Sequence, residues 1–107
     1  MLCAVIFGLL TQLSNTASVE GVVARFGTGE PLPRATVTLY PSQVLSTTTD
    51  ASGRFSFLKV PPGEYRLQAF RQGPYIPAEY GQRNLGERGT PITIGPGQKI
   101  SEIRLEL

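Results

Sequence analysis

The 107-residue sequence has no histidine, one cysteine and one aspartate. Without imidazole there is no Ser-His-Asp chemistry and no histidine-bearing zinc site, which removes most common catalytic designs. Cys3 has no second thiol to pair with, so no internal disulfide forms and the redox compartment stays open. Asp50 alone does not supply the clustered acidic oxygens typical of a calcium loop. No G-x-x-x-x-G-K-[ST] phosphate loop occurs. Charged residues are scarce at 17%, and the arginines scatter from Arg25 to Arg104 without a basic run. That spread argues against a nucleic-acid partner, whose site concentrates positive charge on one face. No apolar period of 3.6 residues appears, so no long helix is expected. No metal, no cofactor and no enzymatic activity follow from this composition.

What the chain does have is turn chemistry and enough apolar residues to fold. Twelve glycines and nine prolines punctuate a sequence that is 40% hydrophobic with a net charge of only +2. Low hydrophobicity or a large net charge would imply disorder, and neither is present. The length suits one domain.

Leu2 to Leu10 (LCAVIFGLL) is an uncharged apolar run followed by the polar, small-residue segment TQLSNTAS. This is the pattern of a secretory signal, and the run is too short to cross a membrane, which takes about 20 apolar residues. Cleavage after Ala17 or Ser18 fits the small-residue requirement. Two departures keep an N-terminal tail or an extra strand open: Asn15 stands at the −3 position, and no basic residue follows Met1. The division expected is a signal peptide over 1–18 and a folded domain over 19–107, with no stable membrane span after cleavage.

From Val19 onward, short alternating segments are separated by strong turn signals. Val19 to Phe26 ends at Gly27-Thr28-Gly29. Ala35, Val37 and Leu39 share one face of the next segment, and Ser46 to Thr49 is a weaker polar strand. Asp50 to Gly53 has the residues of a tight turn, with Asp first and Gly last. Phe55 and Phe57 alternate with polar neighbours before the forced reversal Pro61-Pro62-Gly63. Tyr65, Leu67 and Ala69 follow on one face, then Ile92 and Ile94, and finally Ile103, Leu105 and Leu107. About seven short strands without crossover helices predict an all-β fold, a seven-stranded antiparallel β-sandwich or barrel.

The ordered series Glu20-Gly21-Val22-Val23, Gly29-Glu30-Pro31-Leu32-Pro33, Thr49-Asp50-x-x-Gly53-Arg54-Phe55-x-Phe57 and Val60-Pro61-Pro62-Gly63-x-Tyr65-x-Leu67 resembles the carboxypeptidase regulatory-like family. The resemblance is dense over residues 19–71 and looser over 72–107. It implies a transthyretin-like (prealbumin-like) sandwich, found as an accessory module of secreted or cell-envelope bacterial proteins. On that reading Asp50, Gly53, Pro61, Pro62 and Gly63 are structural turn residues. These 107 residues are not expected to hold the peptidase domain that names the family. The Lys–Asn crosslink of related pilin modules is also not expected, because the first strand has no lysine and the last no asparagine.

Residues 72–90 are the segment that a purely structural account leaves open. Loops longer than about 12–15 residues are uncommon in compact domains, and this one gathers residue types enriched at binding hot spots. Tyr75, Tyr80, Arg83 and Arg88 are therefore the candidate ligand contacts, for a glycan or a neighbouring envelope protein. The competing reading is a loop that folds back over a sheet edge. Carboxylate spacing specifies no glycosidase pair, with Glu79 and Glu87 simply placed in this loop. The function expected is a noncatalytic interaction or spacer module, secreted, periplasmic or in the cell envelope. The alternatives are a carbohydrate-binding module or a fragment of a larger envelope protein, and the oligomeric state is left open.

Overall fold

The computed structural model describes residues 16–82 and 88–107. Within them lie β1 (Ala17–Ala24), β2 (Thr36–Pro41), β3 (Leu45–Thr48), β4 (Arg54–Val60), β5 (Gly63–Phe70), β6 (Ala78–Glu79), β7 (Ile92–Ile94) and β8 (Lys99–Glu106). No helix occurs among the described residues. One sheet has the order β4-β1-β8; the other runs β3-β2-β5-β6, with β7 also paired to β5. The result is the all-β sandwich that the alternation predicts. It has one strand more than the seven expected, because β6 is only two residues long and carries no periodic signal.

The apolar faces read from the sequence close on one another. Val19, Val23, Val37, Leu39, Phe55, Phe57, Tyr65, Leu67, Ile103 and Leu105 are all buried in a single core. Tyr65 is fully enclosed, and a buried phenol needs a hydrogen-bond partner. Its hydroxyl donates to the Pro61 carbonyl at 2.8 Å, tying β5 back to the Pro61-Pro62-Gly63 reversal.

The turn before β4 is held by one carboxylate. Asp50 Oδ1 accepts from the Ser52 and Arg54 amides at 2.8 and 3.0 Å. Gly53 sits at φ 74°, and a Cβ there would stand 2.6 Å from the Val23 carbonyl oxygen. Beside it, the buried Thr49 hydroxyl donates to the Leu32 carbonyl at 2.6 Å and accepts from the Ala35 amide at 2.9 Å. It fastens the Leu32–Ala35 connection to the start of the turn. Thr49→Val leaves both backbone groups without that partner and should cost about 1–3 kcal/mol in chemical denaturation. An unchanged midpoint would show that this staple contributes nothing.

Two features depart from simple alternation. First, not every pair is antiparallel: β1 and β8 run parallel, with Val19 opposite Ile100 and Val22 opposite Arg104. A parallel pair needs a long crossover, and here the whole intervening chain provides it, so no helix is required. Secondly, both neighbours of β1 carry an extra residue. Ala17 and Val19 face Val60 and Phe57, while Val19 and Gly21 face Ile100 and Ile103. The second bulge places Glu102 at φ 62°, a left-handed conformation that costs an ordinary residue about 1–2 kcal/mol. Glu102→Gly should therefore raise stability and Glu102→Val lower it, both read by urea titration. The reverse order would mean that the bulge is not retained.

β1 starts at Ala17, which is buried and opposite Val60. Cleavage after Ala17 or Ser18 would thus remove the first residues of this strand. Residues 1–15 of the proposed signal segment lie outside the described residues.

Candidate functional site

The stretch after β5 returns to β5 twice. Ala78 and Glu79 pair with Ala69 and Gln68, and farther along Ile92–Ile94 pairs with Gly63–Tyr65. Two short strands thus share one edge position, as the fold-back reading of this loop expects. Parity then sets the site: Ala78 points into the core, so Glu79 points outward beside Tyr40 and Arg66, which are themselves opposite one another on β2 and β5.

Glu79 is the hub of this outer face. Its Oε1 accepts from the Gly89 amide at 2.9 Å and from Arg66 Nη1 at 3.5 Å. Its Oε2 accepts from the Tyr40 hydroxyl at 3.1 Å. Arg66 Nη1 also donates to the Gly89 carbonyl at 2.9 Å, and the Glu79 amide donates to Gln82 Oε1 at 3.0 Å. Only glycine fits at position 89, since a Cβ there would overlap the Tyr80 carbonyl oxygen and lie 2.9 Å from the Glu79 Cβ. The cluster fastens the loop's return onto the sheet.

Partial burial pushes the Glu79 carboxyl up, but the Gly89 amide, the Tyr40 hydroxyl and the Arg66 guanidinium outweigh it and hold the pKa below the ordinary glutamate value. Tyr40 is raised by its own burial and then by the hydrogen bond and charge of Glu79. A lowered carboxylate pKa stabilises the fold above the unfolded-state value, and this contribution disappears as pH falls through the folded one. Glu79→Gln should cost about 1–3 kcal/mol at neutral pH, and the deficit should shrink once the solution is acidic enough to protonate the wild-type carboxyl. A deficit equal at pH 7 and at strongly acidic pH would contradict this role.

Of the four ligand contacts expected from sequence, Tyr75, Tyr80 and Arg88 are among the described residues. Tyr75 is half-buried against the core, its hydroxyl accepts from Arg71 Nη1 at 3.2 Å, and the Arg71 guanidinium lies 5.3 Å over its ring. Tyr80 is 39% exposed, with its backbone bonded to Leu67 and Thr90. Arg88 is exposed and lines a cleft of about 200 Å³ with Gln68, Ile76, Pro77 and Gln82. Arg83 and Glu87 lie outside the described residues. Sequence reasoning missed Tyr40, Arg66 and Glu79 as a cluster. Tyr40 and Arg66 alternate outward on their strands, a signal that becomes specific only once β2 is paired with β5.

A second concavity of about 900 Å³ lies on the outer face of the β4-β1-β8 sheet. There Arg54 and Arg104 flank Val22, with Glu20, Ser56 and Glu102 alongside. No exposed aromatic ring lines it, so it offers no stacking platform. Among the described residues no three side chains of metal-ligating type cluster together.

The carboxypeptidase regulatory-like domain family matches the sequence over residues 18–107. No curated protein matches it. Among solved structures, the TIE protein of Bacillus anthracis superposes with a TM-score of 0.59 at 18% identity, over 86% of this chain and 16% of that one. The major pilin subunit of Bacillus cereus gives 0.58 at 14% identity, over 86% and 30%. A candidate carbohydrate-binding protein of Bacteroides uniformis gives 0.56 at 12% identity, over 85% and 40%. This chain therefore spans well under half the length of each of these three, and the likeness is one of fold.

Proposed function

Because the chain belongs to the carboxypeptidase regulatory-like domain family, we propose that it is a noncatalytic interaction and spacer module working outside the cytoplasm, at or beyond the cell envelope. One observation carries this reading: β1 and β8 are parallel neighbours, so the chain enters β1 and leaves β8 at opposite ends of the sheet. An eight-residue strand is about 25 Å long, which sets the least separation a module of this kind inserts between what precedes and follows it. Antiparallel terminal strands would return the chain to its starting end and separate nothing. The similar TIE and pilin proteins, of which the matched part is 16% and 30%, support the same use. The noncatalytic reading is supported by the lack of histidine and by a Glu79 carboxylate already engaged by three donors.

Two copies of the chain joined head to tail test the spacing. Small-angle scattering should show a maximum dimension that grows by at least the length of one β1 strand per added copy. A tandem no longer than the single chain would overturn the reading. Export is tested by mass spectrometry of the native N-terminus, where residues 1–18 intact on a cytoplasmic protein would be the contrary result.

Carbohydrate binding is the second reading, favoured by the cleft beside Arg88, Gln68 and Gln82 and by the likeness to the Bacteroides uniformis protein. If it holds, Arg88→Ala should abolish glycan-array signals without shifting the melting temperature. An array without signals above background argues against it.

A further inference from the structure

We propose that the β1–β8 ladder is a tension-bearing clamp, so that the module transmits pulling force along its length without opening. This inference rests on the spacer reading, since only a module threaded through its two ends is loaded in this direction. Tension drags β1 towards its upstream end and β8 towards its downstream end. The two strands are hydrogen-bonded directly and run parallel, so the pull slides one along the other. Sliding loads the cross-strand bonds together, whereas peeling two strands apart from one end loads them in succession. A bond that shares its load breaks far less often than one that carries it alone.

The ladder has the local features such a clamp needs. At the upstream end the Ser18 amide donates to the Gln98 carbonyl at 3.0 Å. At the downstream end the Leu107 amide donates to the Ala24 carbonyl at 2.9 Å, and the Phe26 amide to the Leu107 carbonyl at 2.7 Å. Between them Gly21 to Ala24 run in unbroken register with Ile103 to Glu106. Val23, Ile103 and Leu105 beneath this stretch are at most 4% exposed, which keeps water from replacing its bonds from the core side. β1 cannot yield alone, because its other edge is bonded to β4 and to the turn before it, where the Val23 amide donates to the Gly53 carbonyl at 2.7 Å. Gly21 adds a mechanical stop: the Ile103 carbonyl and the Phe55 ring close so tightly around it that no Cβ would fit. The bulge between Ile100 and Ile103 confines the strongest part of the clamp to its downstream half. The β3-β2-β5 sheet and the Glu79 cluster lie off the force path.

Single-molecule force spectroscopy on the full chain, with Cys3→Ser so that attachment thiols are unique, tests this directly. In one geometry the handles are attached at the two chain ends. In the other they are attached at the N-terminus and at Gln98→Cys, which is exposed and lies at the upstream end of the ladder, so that β8 is peeled from β1. The expected result is a rupture force several-fold higher end to end than in peeling. Glu79→Gln, which weakens the fold at equilibrium but is off the force path, should leave the end-to-end force unchanged. Equal forces in the two geometries, or an end-to-end force that falls with the equilibrium stability of Glu79→Gln, would overturn the clamp. Failure of the spacer reading registers separately, as a tandem that does not lengthen.

Discussion

The fold is organised around β1 being bonded on both sides. Antiparallel β4 and parallel β8 meet on this one strand, where Gly21 faces Phe55 on one side and Ile103 on the other with no room for a Cβ. A strand in that position must satisfy two ladders and present a smooth apolar face at once. Its neighbours absorb the mismatch, each by inserting one extra residue near the upstream end. Bulges of this kind bend and twist a strand, and they shape the three-stranded sheet to cover the core. The parallel partner also gives the module a direction, because chain entering beside Val60 and Gln98 leaves beside Phe26.

Against this half built on one doubly bonded strand stands a half whose edge is closed by side chains. The outer edge of β5 is covered in two pieces, and Gly89, which lies between them in sequence, is held by Glu79 and Arg66, with Tyr40 bonded to Glu79. These three groups are outward by strand parity and would be ordinary surface residues without the Gly89 backbone lying over them. Their hydrogen bonds are thus spent on architecture, which accounts for an enclosed acid in a protein that we read as noncatalytic.

Much of this was legible beforehand. The triplets Ala35-Val37-Leu39, Tyr65-Leu67-Ala69 and Ile103-Leu105-Leu107 name the core side of three strands without ambiguity, because alternation is a local property. The Asp50–Gly53 turn is local as well, and its hydrogen bonds are those expected of Asp at the head of a turn. The bulges leave a fainter trace: Phe57 to Val60 and Ile100 to Ile103 are spaced by three where alternation would demand two. Direction and partnership leave no local trace at all. The parallel pairing of β1 with β8 and the meeting of Tyr40 with Glu79 depend on residues far apart in the chain. Ala78–Glu79 is too brief to show any period. Tyr75 illustrates the limit for sites, since nothing local in a long loop shows that this ring packs against the core with Arg71 over its face.

The divided edge of β5 has one more consequence. Because β6 and β7 are anchored independently, no ladder register fixes how many residues must join them. Lengthening or shortening that connection would force no strand to slip, provided that Tyr80 keeps its bond to Thr90 and Gly89 its bonds to Glu79 and Arg66. Diversity among such modules is then best sought between Gln82 and Arg88, while the Glu79–Gly89 contacts, β1 and its two partners stay constrained.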